Sequence, residues 1–360
     1  MATTLRIGII RLSALGDCIV SAAFLADFVQ ELKRAYTIHL TWFVDSRFSD
    51  ILEHSPCIDS LEVITLKRQS LAQKFHLIKR LTKLPVFDIL IDMQGLIKSA
   101  LMGAFLHKHH FIGFSFGSAK ESLSALFYTH RVQIAYQENI LKRNALLLHR
   151  AKELLHIAQD SQPSLPDMLA HKALSFAHTP QAYTLIAPQL QSRPYILCVL
   201  ESSLPSKTYD PTLFAQAIAL ICERLRTAQI LLLTHTHTHK ATQILQSPAL
   251  AALQDSHTIT PLSNLSLDSI KALIAQMDLI IGGDTGITHL AWALGRDSLT
   301  LYGNTPAQRF KLLGESNLTL SGSDKPTYDK NDFSINNIAP SEIAKCALTL
   351  LSQKHKEIVC

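Results

Sequence analysis

Short apolar runs alternate with stretches of helical spacing along almost the whole chain. In the first half, residues 5–12, 37–44, 60–64 and 87–92 have strand length and read as buried strands. Between and after them, apolar residues recur every three or four positions over 18–34, 47–53, 70–82, 97–107 and 139–157, which predicts helices. The stretch 158–194 is rich in Pro, Gln and Ser and contains a domain junction. The rhythm then restarts, with strands over 195–200, 230–233, 279–281 and 298–302, and helices over 211–226, 267–276 and 288–294. Residues 321–338 are polar and read as irregular, and an amphipathic helix follows at 340–353. Strands alternating with helices predict α/β architecture with parallel sheets. The restart predicts two Rossmann-like domains facing a central cleft, divided as 1–175 and 176–338. Residues 339–360 form a separate terminal helix packing back on the first domain.

Composition narrows this picture. The chain has 360 residues, 47% of them hydrophobic, enough for two ordinary cores. Charged residues interrupt every apolar run well short of the ~20 residues a bilayer span needs. The N-terminal stretch Ile7-Gly8-Ile9-Ile10 is a poor signal peptide, being broken by Arg11 and Asp17. Six scattered cysteines with no Cys-x-x-Cys read as reduced thiols of a cytoplasmic protein. Charge is uneven: residues 1–180 carry 20 Lys+Arg against 15 Asp+Glu, and the remainder 14 against 14. The excess concentrates at Lys67, Arg68, Lys74, Lys79, Arg80 and Lys83, with Leu71, Phe75, Ile78 and Leu81 interleaved at helical spacing. Such a helix suits an anionic membrane surface, and equally an ordinary solvated face.

The most informative turn is Gly282-Gly283-Asp284-Thr285-Gly286-Ile287-Thr288-His289-Leu290, between a strand and a short helix. Unpaired amides at a helix N-terminus, reinforced by the helix dipole, hold phosphate. Thr285 and His289 lie four apart and share a helix face. A helix cap alone does not call for glycines at 282, 283 and 286, whereas close backbone approach to a ligand does. The first strand ends in Ser13-Ala14-Leu15-Gly16-Asp17, where Asp17 fits either an N-cap or a general base. Ser202, Ser203 and Lys207 occupy the first strand-to-helix loop of the second half and suit a diphosphate or plain solvent. Asp92-Met93-Gln94-Gly95-Leu96-Ile97-Lys98-Ser99 is a further strand-to-helix turn able to orient an acceptor. The alternation Thr234-His235-Thr236-His237-Thr238-His239 lacks an acid or Cys to complete a metal site and reads as a solvated loop. No Asp-x-Asp, dinucleotide fingerprint or P-loop lysine is present.

Taken together, Ser13–Asp17, Asp92–Ser99, Ala119-Lys120-Glu121-Ser122-Leu123, Leu126-Phe127-Tyr128, Lys207 and Asp284–Ala291 follow the order and spacing of the ADP-heptose lipopolysaccharide heptosyltransferases, glycosyltransferase family 9. The Gln-Gly-Leu-x-Lys-Ser and Leu-Phe-Tyr elements resemble the heptosyltransferase I branch. The resemblance implies a GT-B fold and inverting, metal-independent transfer with no cofactor, ADP-heptose being a substrate. The acceptor it implies is the first Kdo of Kdo2-lipid A, met at the cytosolic face of the inner membrane. It makes Asp17 the general base and gives Lys207, Thr285, Gly286 and His289 the diphosphate. Asp284 would contact the heptose, and Ser202 and Ser203 stand where the family commonly has threonines. It assigns the acceptor to Ser13, Gln94, Lys98, Lys120 and Arg143, with Lys120 where the family often has Arg. Around Thr238 and His239 the family pattern offers a Glu for the donor ribose that this chain lacks. Two alternatives stay open: another family 9 transferase with a different donor or acceptor, and a non-catalytic nucleotide-binding, membrane-peripheral protein.

Overall fold

The computed structural model describes residues 4–65, 70–157, 164–253 and 259–354. The chain divides into two compact units, Met1–Ala177 and His178–Cys360. The expected boundary at 175/176 lies two residues earlier.

The N-terminal unit holds β1 (Leu5–Ile10), β2 (Ile38–Asp45), β3 (Ser60–Ile64), β4 (Phe87–Asp92), β5 (Lys108–Phe114) and β6 (His130–Val132). They form one parallel sheet in the order β3-β2-β1-β4-β5-β6. Its helices are α1 (Leu15–Ala22), α2 (Leu25–Leu32), α3 (Leu71–Leu81), α4 (Ile97–Ala104) and α5 (Ile140–Leu154). The predicted helix over 18–34 is two helices, because the Phe24 amide bonds back to the Ser21 carbonyl in a tightened turn that no Gly or Pro announces. The predicted helix over 47–53 shrinks to a single 3₁₀ turn, Ser49–Ile51. The strands β5 and β6, absent from the sequence reading, complete the far edge of the sheet.

The C-terminal unit repeats the plan with β7 (Tyr195–Val199), β8 (Gln229–Leu233), β9 (Ile259–Leu262), β10 (Leu279–Gly283), β11 (Asp297–Tyr302) and β12 (Asn317–Ser321). Their order, β12-β11-β10-β7-β8-β9, is the same doubly wound topology. The helices are α6 (Pro180–Ile186), α7 (Pro211–Arg224), α8 (His239–Leu245), α9 (Leu267–Ile274), α10 (Gly286–Ala293), α11 (Ala307–Phe310) and α12 (Pro340–Lys354). Strands β8, β10 and β11 are buried at every position, as expected of a parallel sheet covered on both faces. The terminal helix α12 packs on α7, β10 and β11 of this same unit, with Ile343, Ala347, Leu350 and Leu351 in its core. It is therefore part of the second unit, where the sequence reading set it apart as a third segment.

In such sheets, ligands bind beyond the carboxyl ends of the strands at the point where strand order reverses. That point lies between β1 and β4 in the first unit and between β7 and β10 in the second. The four loops that follow these strands carry Ser13–Asp17, Gln94–Lys98, Ser202–Lys207 and Asp284–His289.

Candidate active site

In the second unit the site is built on the turn from β10 into α10. Thr285 is the N-cap, its hydroxyl oxygen accepting from the Thr288 amide at 3.5 Å. The Thr288 hydroxyl lies 2.9 Å from the Gly283 and Thr285 carbonyls. The amides of Gly286 and Ile287, the first two of α10, have no hydrogen bond within the described residues.

Asp284 stands buried just before the cap and gathers three donors. Its Oδ2 takes Lys207 Nζ at 2.5 Å and Thr305 Oγ1 at 3.3 Å, and its Oδ1 takes His289 Nε2 at 3.1 Å. Burial alone would raise this carboxyl's pKa. The His289 bond and the Lys207 charge outweigh burial and hold it well below the usual carboxylate range. His289 Nδ1, on the other side of the ring, is buried without a partner among the described residues.

Lys207 closes the 3₁₀ turn Pro205–Lys207 after β7. A Cβ on Gly283 would stand 2.0 Å from the Lys207 carbonyl oxygen. The close backbone approach that demands this glycine is therefore made by the protein's own Lys207 turn, not by a ligand as the sequence suggested. A Cβ on Gly282 would likewise crowd Val199 Cβ at 2.8 Å and Thr288 Cγ2 at 3.2 Å. Asn304 supports the same turn, donating to Ser206 Oγ at 3.1 Å and the Asp329 carbonyl at 2.8 Å. The Ser202 hydroxyl donates to the Leu204 carbonyl at 2.5 Å, so its proton serves the loop, while Ser203 is exposed.

Glu201 stands in none of the sequence motifs. Its carboxylate accepts the amides of His235, Thr236 and His237 at 2.9, 3.2 and 2.5 Å, and the Thr236 hydroxyl at 3.1 Å. It thereby ties the loop after β7 to the loop after β8. Burial raises its pKa, but these amide donors prevail and lower it. His235, His237 and His239 are exposed, and among the described residues no three His, Cys, Asp or Glu side chains group to hold a metal ion.

In the first unit, α1 begins at Leu15, earlier than predicted, with Ala14 as its N-cap. Asp17 is thus in the first turn, not the cap. Its Oδ2 pairs with Arg11 Nη2 at 2.8 Å and accepts the Ala14 amide at 3.2 Å. Oδ1 has no protein hydrogen bond among the described residues, and the side chain is 38% exposed. Arg11, also unforeseen, is buried and donates as well to the Met93 carbonyl, joining the loops after β1 and β4.

Gln94 strengthens that joint. Its Oε1 accepts the Leu12 amide at 2.8 Å and its Nε2 donates to Ser13 Oγ at 3.2 Å. Beneath it, fully buried Asp92 accepts from the amides of Gln94 and Gly95 and the hydroxyls of Ser99 and Tyr128. Gly95 turns the chain at φ +68°, a region other residues avoid. Lys98 is exposed in the first turn of α4, and Lys120 is exposed after β5.

Arg143 has different surroundings from those expected of an acceptor ligand. It is 4% exposed, donates to the Ala135 and Ser118 carbonyls at 2.9 and 2.7 Å, and stacks over Phe114. It braces the 115–135 segment from inside the unit. Of the six basic residues in this stretch, Lys67 and Arg68 lie outside the described residues, while Lys74, Lys79, Arg80 and Lys83 are exposed on or beside α3.

Two doubly wound parallel sheets, one in each compact unit, define a fold of the GT-B class. The model of glycosyltransferase family 9 (heptosyltransferase) matches residues 75–338, and the chain belongs to this family. Lipopolysaccharide heptosyltransferase 1 of Campylobacter coli is 33% identical, over 97% of this chain and 100% of that protein. The Salmonella typhimurium protein of the same name is 25% identical, over 84% of this chain and 89% of its own. Among solved structures, E. coli heptosyltransferase WaaC with ADP superposes with a TM-score of 0.72 at 19% identity, covering 96% of this chain and 100% of that one. E. coli ADP-heptose heptosyltransferase II gives 0.68 at 18% identity, covering 98% and 100%. The relatives named type 1 are similar in sequence, and a heptosyltransferase II is among the proteins similar in fold.

Proposed function

We propose that this chain transfers L-glycero-D-manno-heptose from ADP-heptose to the first Kdo of Kdo2-lipid A, with inversion. The observation that carries this reading is the Lys207–Asp284–His289 cluster at the N-terminus of α10, beside two amides with no hydrogen bond among the described residues. Positive charge and aligned donors there favour a departing diphosphate as its charge develops. Lys207, His289, Thr285 and Gly286 hold the diphosphate, and Asp284 sets Lys207 and His289 in place and meets the heptose. The solved relatives bound to ADP and to ADP-2-deoxy-2-fluoro heptose support the donor class. With Lys207 carrying the positive charge, transfer proceeds without a metal.

In the other unit Asp17 is the base. Its Oδ2 is anchored by Arg11, and Oδ1 receives the proton of the Kdo hydroxyl. The freed oxygen bonds to C1 of the heptose from the face opposite the diphosphate, the C1–O bond to phosphate breaks, and ADP leaves. Ser13, Gln94, Lys98 and Lys120 suit an acidic sugar acceptor, met at the cytosolic face of the inner membrane. No helix among the described residues is long and apolar enough to cross a membrane.

Incubating the protein with ADP-heptose and Kdo2-lipid A, and weighing the lipid product by mass spectrometry, tests the reading. The expected product carries one added heptose. Transfer only to an acceptor already bearing a heptose indicates a type II enzyme. Binding of ADP-heptose without transfer indicates a non-catalytic protein.

Glu201 provides a second test. The family's ribose-contacting Glu is missing from the loop that Glu201 holds, so the order of that loop depends on Glu201. Glu201→Ala should raise KM for ADP-heptose roughly tenfold, the scale of a lost charged hydrogen bond, with kcat little changed. Glu201→Gln, which keeps one acceptor oxygen, should recover part of it. An unchanged KM in the Ala variant rules this role out.

A further inference from the structure

One layer of the N-terminal unit exposes apolar surface out of proportion to the rest of the chain. The helices α3 and α4 and the 3₁₀ turn Ser122–Phe127 share one core, contributing Leu81, Ala100, Met102, Ala125 and the neighbouring Tyr128, and therefore cover the same region of the sheet. Turn and α4 lie side by side. On the outside of α4, Ile97, Leu101 and Phe105 recur every four residues and are all exposed. Beside them, Leu123 and Leu126 are 60% and 61% exposed, and on α3 Phe75 is 66% exposed. Single exposed apolar residues are ordinary, whereas a contiguous set marks an interaction surface.

The charge around this layer selects its occupant. Residues 70–120 carry seven Lys and Arg (74, 79, 80, 83, 98, 108 and 120) against two acids. Of these acids, Asp92 is fully buried and Asp88 accepts the Arg6 amide. The nearby Glu121 caps α4 by accepting the Ile97 amide at 2.7 Å. Apolar side chains ringed by cations match a bilayer surface with anionic headgroups, which takes the side chains below the headgroups and the cations among them.

We propose that the outer face of α4 and the 122–127 turn, flanked by α3, rests on an anionic phospholipid bilayer. This extends the membrane contact beyond the basic 67–83 segment onto an apolar face, with Lys98 and Lys120 at its border. It rests on the proposed lipid-linked acceptor, but its test does not require transfer.

The experiment is flotation of the full chain with vesicles of phosphatidylethanolamine and phosphatidylglycerol, against vesicles of phosphatidylcholine alone. Wild type should float with the first and much less with the second. Leu101→Glu/Leu126→Glu, at exposed positions where folding is not at stake, should reduce flotation roughly tenfold or more. Its circular dichroism and melting should be unchanged, as should its heptose transfer to a water-soluble, deacylated Kdo acceptor. Transfer to Kdo2-lipid A in vesicles should fall. Flotation equal to wild type in the double variant overturns the proposal. So does flotation of wild type only when Kdo2-lipid A is present, which assigns the face to the acceptor's acyl chains. A wild-type dimer that the double variant splits assigns it to a second copy and also overturns it. Loss of transfer to every acceptor, with vesicle binding intact, counts against the proposed function and leaves this inference standing.

Discussion

Asp17→Asn is expected to lower heptose transfer by a factor of roughly 10²–10⁴, the range of a lost general base, while ADP binding stays at the wild-type level. The substitution keeps the shape of the side chain and an oxygen to face Arg11 and the Ala14 amide. It removes the proton acceptor. Asp17→Ala would also strand Arg11, which is buried and whose remaining anchor is the Met93 carbonyl, and so mixes a folding defect with the chemical one. ADP binding serves as the internal control, because the turn proposed to hold the diphosphate belongs to the other compact unit. Single-turnover transfer with donor saturating, paired with calorimetric titration of ADP, separates the two. Turnover within about threefold of wild type, with the variant folded, removes Asp17 from the base role, since a lost base costs at least a hundredfold.

How much of this was legible beforehand follows from the physics of each element. The four central strands β1, β4, β7 and β10 are mostly apolar and largely buried because helices cover both sheet faces, and their loops carry the motif residues, so the fold class and the motif-bearing loops were readable together. Strands β6, β9 and β12 are short edge strands with mixed burial, and lack that signal. The side chains that orient the site were harder. Gln94 meets Ser13 across 81 residues, Thr305 meets Asp284 across 21, and Glu201 meets the His235 amide across 34. Such pairs appear only once strand order is known. Arg143 misled for a related reason. The resemblance placed it with the acceptor, yet two backbone carbonyls and an aromatic face already hold it. The glycines at 282 and 283 were read as making room for a ligand, whereas the close neighbours are the Lys207 turn and the end of β7, which only the folded chain brings there.

That same contact makes Lys207 and Asp284 one unit, and the second large effect follows from it. Lys207→Ala should cut kcat/KM for ADP-heptose by roughly 10²–10³, the scale of one lost electrostatic contact to a charged transition state. It should also destabilise the fold, because buried Asp284 loses its cation; breaking a buried pair from one side costs about 3–5 kcal/mol. Asp284→Ala should cost a similar amount by stranding Lys207 and His289. The double variant Lys207→Ala/Asp284→Ala should then be less destabilised than the sum of the two, a coupling that urea titration of all four proteins measures. Simple additivity would mean the two side chains act independently. Acid provides a separate check on the same carboxylate. Its pKa is depressed in the fold, so the stabilisation it contributes is complete above the ordinary Asp value of about 4 and is lost as pH falls below it. Asp284→Asn should therefore flatten the wild-type loss of stability between about pH 4 and pH 2. If wild type and variant lose stability in parallel over that range, the acid-sensitive group lies elsewhere, and Lys207 is not held by a charged partner in the way its 2.5 Å contact implies.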